Sequence, residues 1–263
     1  MFSRLRAAAR SLVMAAGLMA CVSVAVAGQM VPPTRGATGT PAVPIRTVLE
    51  LFTSQGCSSC PPADAMLRAF AEDPSVLALS LPVDYWDYLG WKDTFASERN
   101  TERQRAYAKA RGDGAIYTPQ MVVNGSLHVN GAQKADIENA INLTANNAAI
   151  QRVPIHFWQQ DNTLNIVIDG AEPGRIVTDA TVWFGLVQPS GKVEVQQGEN
   201  AGNTLTYTNI VRDLTPIGLW KGQPLRIQIP RAAVIQASTQ RSVVLIQEGK
   251  AGPIIGAAWA DLW

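Results

Sequence analysis

The sequence predicts an α/β domain followed by an all-β, antiparallel, sandwich-like domain, and two observations carry that reading. From Ile45 to about Ile150 the chain alternates between strand and helix signals, whereas from Val153 onward it reads almost entirely as short strands. The change falls near Gln151 to Pro154 and divides the chain into residues 45–151 and 152–263. Ahead of both, residues 28–44 hold Pro32, Pro33, Gly36, Gly39, Pro41 and Pro44 among small polar residues, the composition of a flexible tether.

The elements follow in order. Thr47 to Phe52 is an apolar strand that runs into a turn holding Cys57 and Cys60. Ala63, Met66, Leu67 and Phe70 are spaced for one buried face of a helix, and Val76 to Val83 gives a second strand. Ser97 to Arg111 is polar and charge-rich, with a helix composition. Met121-Val122-Val123 and Leu127-His128-Val129 flank Asn124-Gly125 as a hairpin, and Gln133 to about Ala149 closes the first half as a helix. In the second half the alternating segments are Val153–Trp158, Leu164–Ile168, Ala180–Val187, Lys192–Gln196, Thr204–Val211, Leu225–Ile229, Ser242–Gln247 and Ile255–Ala260. Turns at Asp161-Asn162, Pro189-Ser190-Gly191 and Gly249-Lys250 are expected to separate them.

Arg4, Arg6 and Arg10 precede an apolar run that closes on Ala25-Val26-Ala27, the pattern of a secretory signal over residues 1–27, cleaved after Ala27. A periplasmic or secreted protein is therefore expected. The run is too short for a convincing membrane span, so no stable membrane anchor is expected. An alternative is lipidation at Cys21, since Leu18-Met19-Ala20-Cys21 resembles a lipoprotein box. Met19 fits poorly there, and the apolar run continues past Cys21.

Cleavage reduces three cysteines to two, leaving Cys57 and Cys60 as the pair in an oxidising compartment. It also takes the basic residues from 22 to 19 against 21 acidic ones, a formal charge of −2, which recruits neither nucleic acid nor an anionic membrane.

Two cysteines separated by two residues at a helix start can join their sulfurs across one turn, where free backbone N–H groups favour a thiolate. Pro61 and Pro62 are tolerated only in the first helical turn, so the helix should begin close to Cys60. That places Cys57 in the turn as the more exposed, attacking thiol, with Cys60 resolving the mixed disulfide. Ser58 and Ser59 bring hydroxyls but no positive charge, so an extreme thiol pKa is not expected.

Strand, helix, strand, helix, strand, strand, helix with a Cys-x-x-Cys after the first strand resembles the thioredoxin fold. Pro119, in Tyr117-Thr118-Pro119-Gln120-Met121, stands where thioredoxin-like proteins carry a cis-proline facing the dithiol. The resemblance implies that Thr118 and Pro119 form the second wall of the site; the plainer alternative is a proline that starts a strand. The longer motif from Glu50 through Cys57-Ser58-Ser59-Cys60-Pro61-Pro62-Ala63-Asp64 is similar to a secreted branch named domain of unknown function 1223. So are Val83 to Trp91 and Gly198-Glu199-Asn200-Ala201-Gly202. Membership of that branch implies no substrate.

Further candidates each carry two readings. Glu50, in the first strand, is either a buried proton acceptor for the dithiol or the partner of an arginine. Asp84, Trp86 and Trp91 follow the second strand, at the sheet edge where loops gather around the dithiol, and either form a substrate lip or pack the connection onto the core. Gly198 to Asn203 is a polar loop with no helix after it, so it is no phosphate cradle, and no cofactor is expected. Glu199 and Arg212 are candidates to reach the dithiol from the second half.

The expected function is a thiol-disulfide oxidoreductase that works on a client protein or redox partner through a mixed disulfide. Its competitors are a non-enzymatic binding module with a structural disulfide and a Cu(I) metallochaperone using His128 or His156 as a further ligand.

Overall fold

The computed structural model describes residues 44–145, 153–174, 178–234 and 241–261. The signal segment, Cys21, nearly all of the tether and the division at 151/152 lie outside the described residues.

β1 (Thr47–Thr53) and β2 (Val76–Pro82) run parallel, in register from Thr47 opposite Val76 to Thr53 opposite Pro82, joined across α1 (Pro61–Phe70). β1 is buried along its whole length, as a strand covered on both faces must be. Its alternation sends Leu49 and Leu51 toward α1 and α3 (Lys134–Ala145), where Ala63, Leu67, Ile137 and Ala140 complete one core. Val48 and Phe52 point the other way and pack with Tyr107 of α2 (Glu98–Arg111). Of the four residues expected on the buried face of α1, Ala63 and Leu67 are buried, while Met66 and Phe70 lie at its margin.

β3 (Gln120–Val123) lies antiparallel to β1 on its other side and turns back as β4 (Leu127–Asn130). Asn124 and Gly125 both adopt left-handed backbone, at φ of 50° and 68°, as an Asn-Gly turn requires. α2 is capped at Ser97, whose hydroxyl accepts the amide of Arg99 at 3.3 Å.

The second half supplies β5 (Ile155–Gln160), β6 (Thr163–Ile168), β7 (Ala180–Glu194), β8 (Thr204–Trp220), β9 (Leu225–Pro230), β10 (Arg241–Glu248) and β11 (Ile254–Asp261). Its strands form two packed layers, but the larger layer is shared with the first half. A single eight-stranded mixed sheet runs β11-β10-β7-β8-β2-β1-β3-β4, and β5, β6 and β9 form a separate three-stranded sheet. Leu164, Ile166 and Ile168 of the small sheet pack onto Val182, Phe184, Val244 and Ile246 of the large one. The join between halves is a parallel bridge from Ser80 to Ile210, beside which the Asn209 amide donates to the Ala78 carbonyl at 3.0 Å.

Two expectations are corrected. Pro189-Ser190-Gly191 is not a turn: Ala180–Val187 and Lys192 to Glu194 of the next expected segment belong to one strand, β7, paired with β8 along nearly its full length. Pro189, which has no N–H to give, falls where the pairing skips beside Asn209, whose φ is 50°. Gly191 leaves room for Phe95: a Cβ there would lie 2.5 Å from the ring. β8 also runs past the expected end at Val211 to Trp220, because β7 continues to pair with it as far as Ala180.

Candidate functional site

The chain leaves β1 and folds back within seven residues. The Cys57 amide donates to Ser54 O at 3.2 Å, and the Cys60 amide to Cys57 O at 3.1 Å. Cys57 and Cys60 are joined as a disulfide, with Cα atoms 5.4 Å apart. α1 begins at Pro61, with Cys60 as its N-cap, so the expected helix start is met. The two prolines remove the first two amides of the helix; the next two, from Ala63 and Asp64, donate to Cys60 O at 2.9 and 3.1 Å.

The expected exposure of Cys57 is not found. Cys57 is 1% exposed and Cys60 0%, with Ser58 and Ser59 alone facing out between them. Cover comes from several elements. Trp86 lies across Gly56, where a Cβ would come within 3.1 Å of the Trp86 Cβ. Gln55 is held by Asp93, which accepts its amide at 2.8 Å, and by Trp91, whose indole donates to Gln55 Oε1 at 2.8 Å. From the second half, the Asn200 amide donates to Gln55 O at 2.9 Å and to Cys57 O at 3.0 Å.

Thr118 and Pro119 stand beside this turn. Their peptide bond is cis, and Pro119 O accepts the Gly131 amide at 3.0 Å. A Cβ on Gly131 would lie 3.2 Å from Ala63 and 3.5 Å from Pro119, so the missing side chain lets Pro119 approach the first turn of α1. Trp86 ties the two walls together, its indole N–H donating to Thr118 Oγ1 at 2.8 Å.

Other sequence candidates are placed differently. Asp84 accepts the Thr101 hydroxyl at 2.6 Å, a contact with the first turn of α2. Glu50 is held by Arg103, whose Nε donates to Oε1 at 2.6 Å and Nη2 to Oε2 at 3.2 Å, and by the Tyr107 hydroxyl. Gln247 of β10 closes the network, accepting from Arg103 and donating to the Tyr107 oxygen at 2.9 Å. Of the two readings of Glu50, the arginine partner is the one these contacts fill. Burial, reinforced by the Glu50 charge, pushes the Tyr107 hydroxyl well above its ordinary pKa.

Three acidic and phenolic groups near the cysteine turn are given no role by the sequence. Asp64 is buried on α1, and its carboxyl is pushed well above the ordinary range, first by desolvation and then by the Asp93 charge. The Thr53 hydroxyl is close enough to oppose that shift without forming a full hydrogen bond. Asp93 is itself raised by burial, against the amides of Gln55, Phe95 and Ala96 that it accepts. Burial and both carboxyls raise the Tyr207 hydroxyl. Thr53 Oγ1, both Asp64 oxygens and the Tyr207 hydroxyl have no hydrogen-bond partner among the described residues. Asp64 closes the motif around the cysteines and Asn200 lies in the Gly198–Gly202 stretch, so sequence pattern marks both positions without assigning them a task.

His128 Nε2 faces Asp113 at 3.1 Å and its Nδ1 faces the Tyr117 hydroxyl at 2.9 Å, while burial and Arg111 lower its pKa. His156 faces Asp169 at 3.4 Å on the small sheet. Among the described residues no three His, Cys, Asp or Glu side chains are grouped to hold a metal, and no helix is long and apolar enough to cross a membrane. Arg212 lies over the Phe95 ring at 5.5 Å, and Glu199 is exposed; Asn200 is the residue between them that reaches the cysteine turn.

The sequence model of a family described as Protein of unknown function (DUF1223) matches residues 48–247. Among solved structures, the chain is similar to protein AGR_C_4864 from Agrobacterium tumefaciens, at 32% identity and a TM-score of 0.74, over 84% of this chain and 96% of that one. It is also similar in fold to HBP35 of Porphyromonas gingivalis, at 13% identity and a TM-score of 0.53, over 84% of this chain and 76% of that one. No curated protein matches it.

Proposed function

Starting from the fact that the chain belongs to the DUF1223 family, we propose that it is a periplasmic or secreted thiol-disulfide oxidoreductase whose first half is thioredoxin-like. The observation that carries the reading is the Cys57–Cys60 disulfide at the first turn of α1, with the cis Thr118–Pro119 bond nearby, where Pro119 and Ala63 of that turn flank Gly131. The order β2-β1-β3-β4, with α1 joining the parallel pair, supports it.

In the oxidising direction a client thiolate attacks Cys57 Sγ, the Cys57–Cys60 bond breaks, and Cys60 leaves as a thiolate that takes up a proton. A second client thiolate then attacks the client sulfur of the mixed disulfide and releases Cys57. The client loses two electrons and the protein gains them; the reverse sequence reduces a client through the same bonds. Thr118 and Pro119 align the client backbone beside Cys57.

Burial of both cysteines favours a second reading, a structural disulfide in a non-enzymatic module. One measurement separates them. Equilibration with a glutathione buffer should give a potential above about −300 mV together with exchange toward a model disulfide. A potential well below that value with no exchange establishes the structural reading. Cys60→Ala should then trap the client on Cys57 and reveal the direction of electron flow.

A further inference from the structure

The turn joining β7 to β8 is exposed from Gln196 to Thr204 except at one residue. Asn200 is 4% exposed, while its neighbours on both sides face solvent. Its amide nitrogen gives both hydrogens to backbone carbonyls of the cysteine turn, those of Gln55 and Cys57, at 2.9 and 3.0 Å. The turn is internally braced: the Ala201 amide donates to Gly198 O at 3.1 Å, Asn203 to Asn200 O at 3.0 Å, and Gly202 to Val195 O at 2.8 Å. Val195 and Leu205 at its base pack with Trp91, which in turn holds Gln55.

The one buried side chain of this polar hairpin tip therefore holds the backbone of the cysteine turn on both sides of Gly56, at Gln55 and at Cys57, the residue proposed as nucleophile. We infer that this tip is a cap over the dithiol, and that Asn200 is the latch that determines which reagents reach Cys57. With the latch closed both cysteines are covered, so exchange proceeds through a minor state in which the tip has lifted. A client protein needs a larger opening than a small thiol does, so the latch discriminates by size. This inference rests on the redox reading for its consequence and on the cap geometry for its substance.

The test uses the full mature chain in its oxidised form and two thiol probes, dithiothreitol and reduced ribonuclease A. Asn200→Ala removes both hydrogen bonds and should speed reduction by dithiothreitol about ten-fold. The gain with ribonuclease A should be larger, while circular dichroism and the cooperative unfolding transition are retained. Asn200→Asp, of the same size, sets a carboxylate against two carbonyl oxygens and should speed both reactions at least as much. Unchanged rates in both variants overturn the cap.

The outcomes also separate the two ideas. Acceleration with dithiothreitol, but no exchange with ribonuclease A in either the wild type or the variants, leaves the cap standing and removes the oxidoreductase. Equally fast exchange of wild type and variants with both probes removes the cap and leaves the oxidoreductase.

Discussion

Arg103 grips both carboxylate oxygens of Glu50 at 2.6 and 3.2 Å, with 7% and 0% of the two side chains exposed. Tyr107 and Gln247 satisfy what remains, and the Trp183 ring lies 5.2 Å below the guanidinium. Removing one partner strands the other charge in the core, so Arg103→Met should destabilise the protein by about 3–5 kcal/mol. Replacing both, as Glu50→Leu with Arg103→Met, should restore most of that loss. Urea denaturation of the wild type and the two variants measures it; a double variant as unstable as the single one would show that packing rather than charge sets the effect.

Asp64 predicts a pH dependence. Its ordinary value is 3.8 and its folded value lies well above that, so across the interval the folded chain holds a proton that the unfolded chain has lost. Stability from this group is fully present below 3.8 and declines as pH rises toward the folded value. Asp64→Asn removes the titration. The stability of the variant relative to wild type should therefore grow as pH rises above 3.8, read as urea midpoints; parallel profiles would contradict it.

The prolines after Cys60 weaken the helix N-terminus as a partner for a thiolate. Each replaces an amide that would otherwise face the cysteine turn from the N-terminus of α1. In the reduced protein, Pro61→Ala with Pro62→Ala restores two amides at the start of α1 and should make the dithiol easier to deprotonate. Thiolate absorbance followed against pH reports the change, and the same titration in both proteins would refute the assignment.

Trp86 and Thr118 are coupled through the hydrogen bond that joins the two walls of the site. A double-mutant cycle with Trp86→Phe and Thr118→Val should give a coupling of about 0.5–1.5 kcal/mol. Additive losses of stability would mean that the bond contributes nothing net.

Gly191 carries a packing prediction. An added methyl meets the Phe95 ring, so Gly191→Ala should lose about 1–3 kcal/mol. Phe95→Leu in the same chain should recover part of it, measured by thermal unfolding.

These sites also show what sequence pattern can reach. β1, α1 and the hairpin at Asn124-Gly125 were legible because apolar spacing and turn chemistry agree there. β7 was not, since Pro189-Ser190-Gly191 has turn composition and only the opposing β8 reveals it as strand. Glu50 was visible as a buried carboxylate, but its partner lies 53 residues away on α2, whose buried Asn100, Arg103 and Gln104 look like any solvated helix face. Asn200 was hidden for a related reason: a short polar residue between glycines is what every exposed turn contains.

The distance along the chain between Cys57 and Asn200 has a bearing on biogenesis. A polypeptide made from its N-terminus completes β1, both cysteines and α1 well before the latch, which comes 143 residues after Cys57, has been synthesised. The edge of β2 waits similarly for Asn209, which lies 131 residues beyond Ala78. Through that interval the two thiols belong to an uncovered half-sheet, open to whatever oxidant or chaperone attends the emerging chain. Arrival of the β7–β8 hairpin ends the interval by bringing Asn200 to the carbonyls of Gln55 and Cys57.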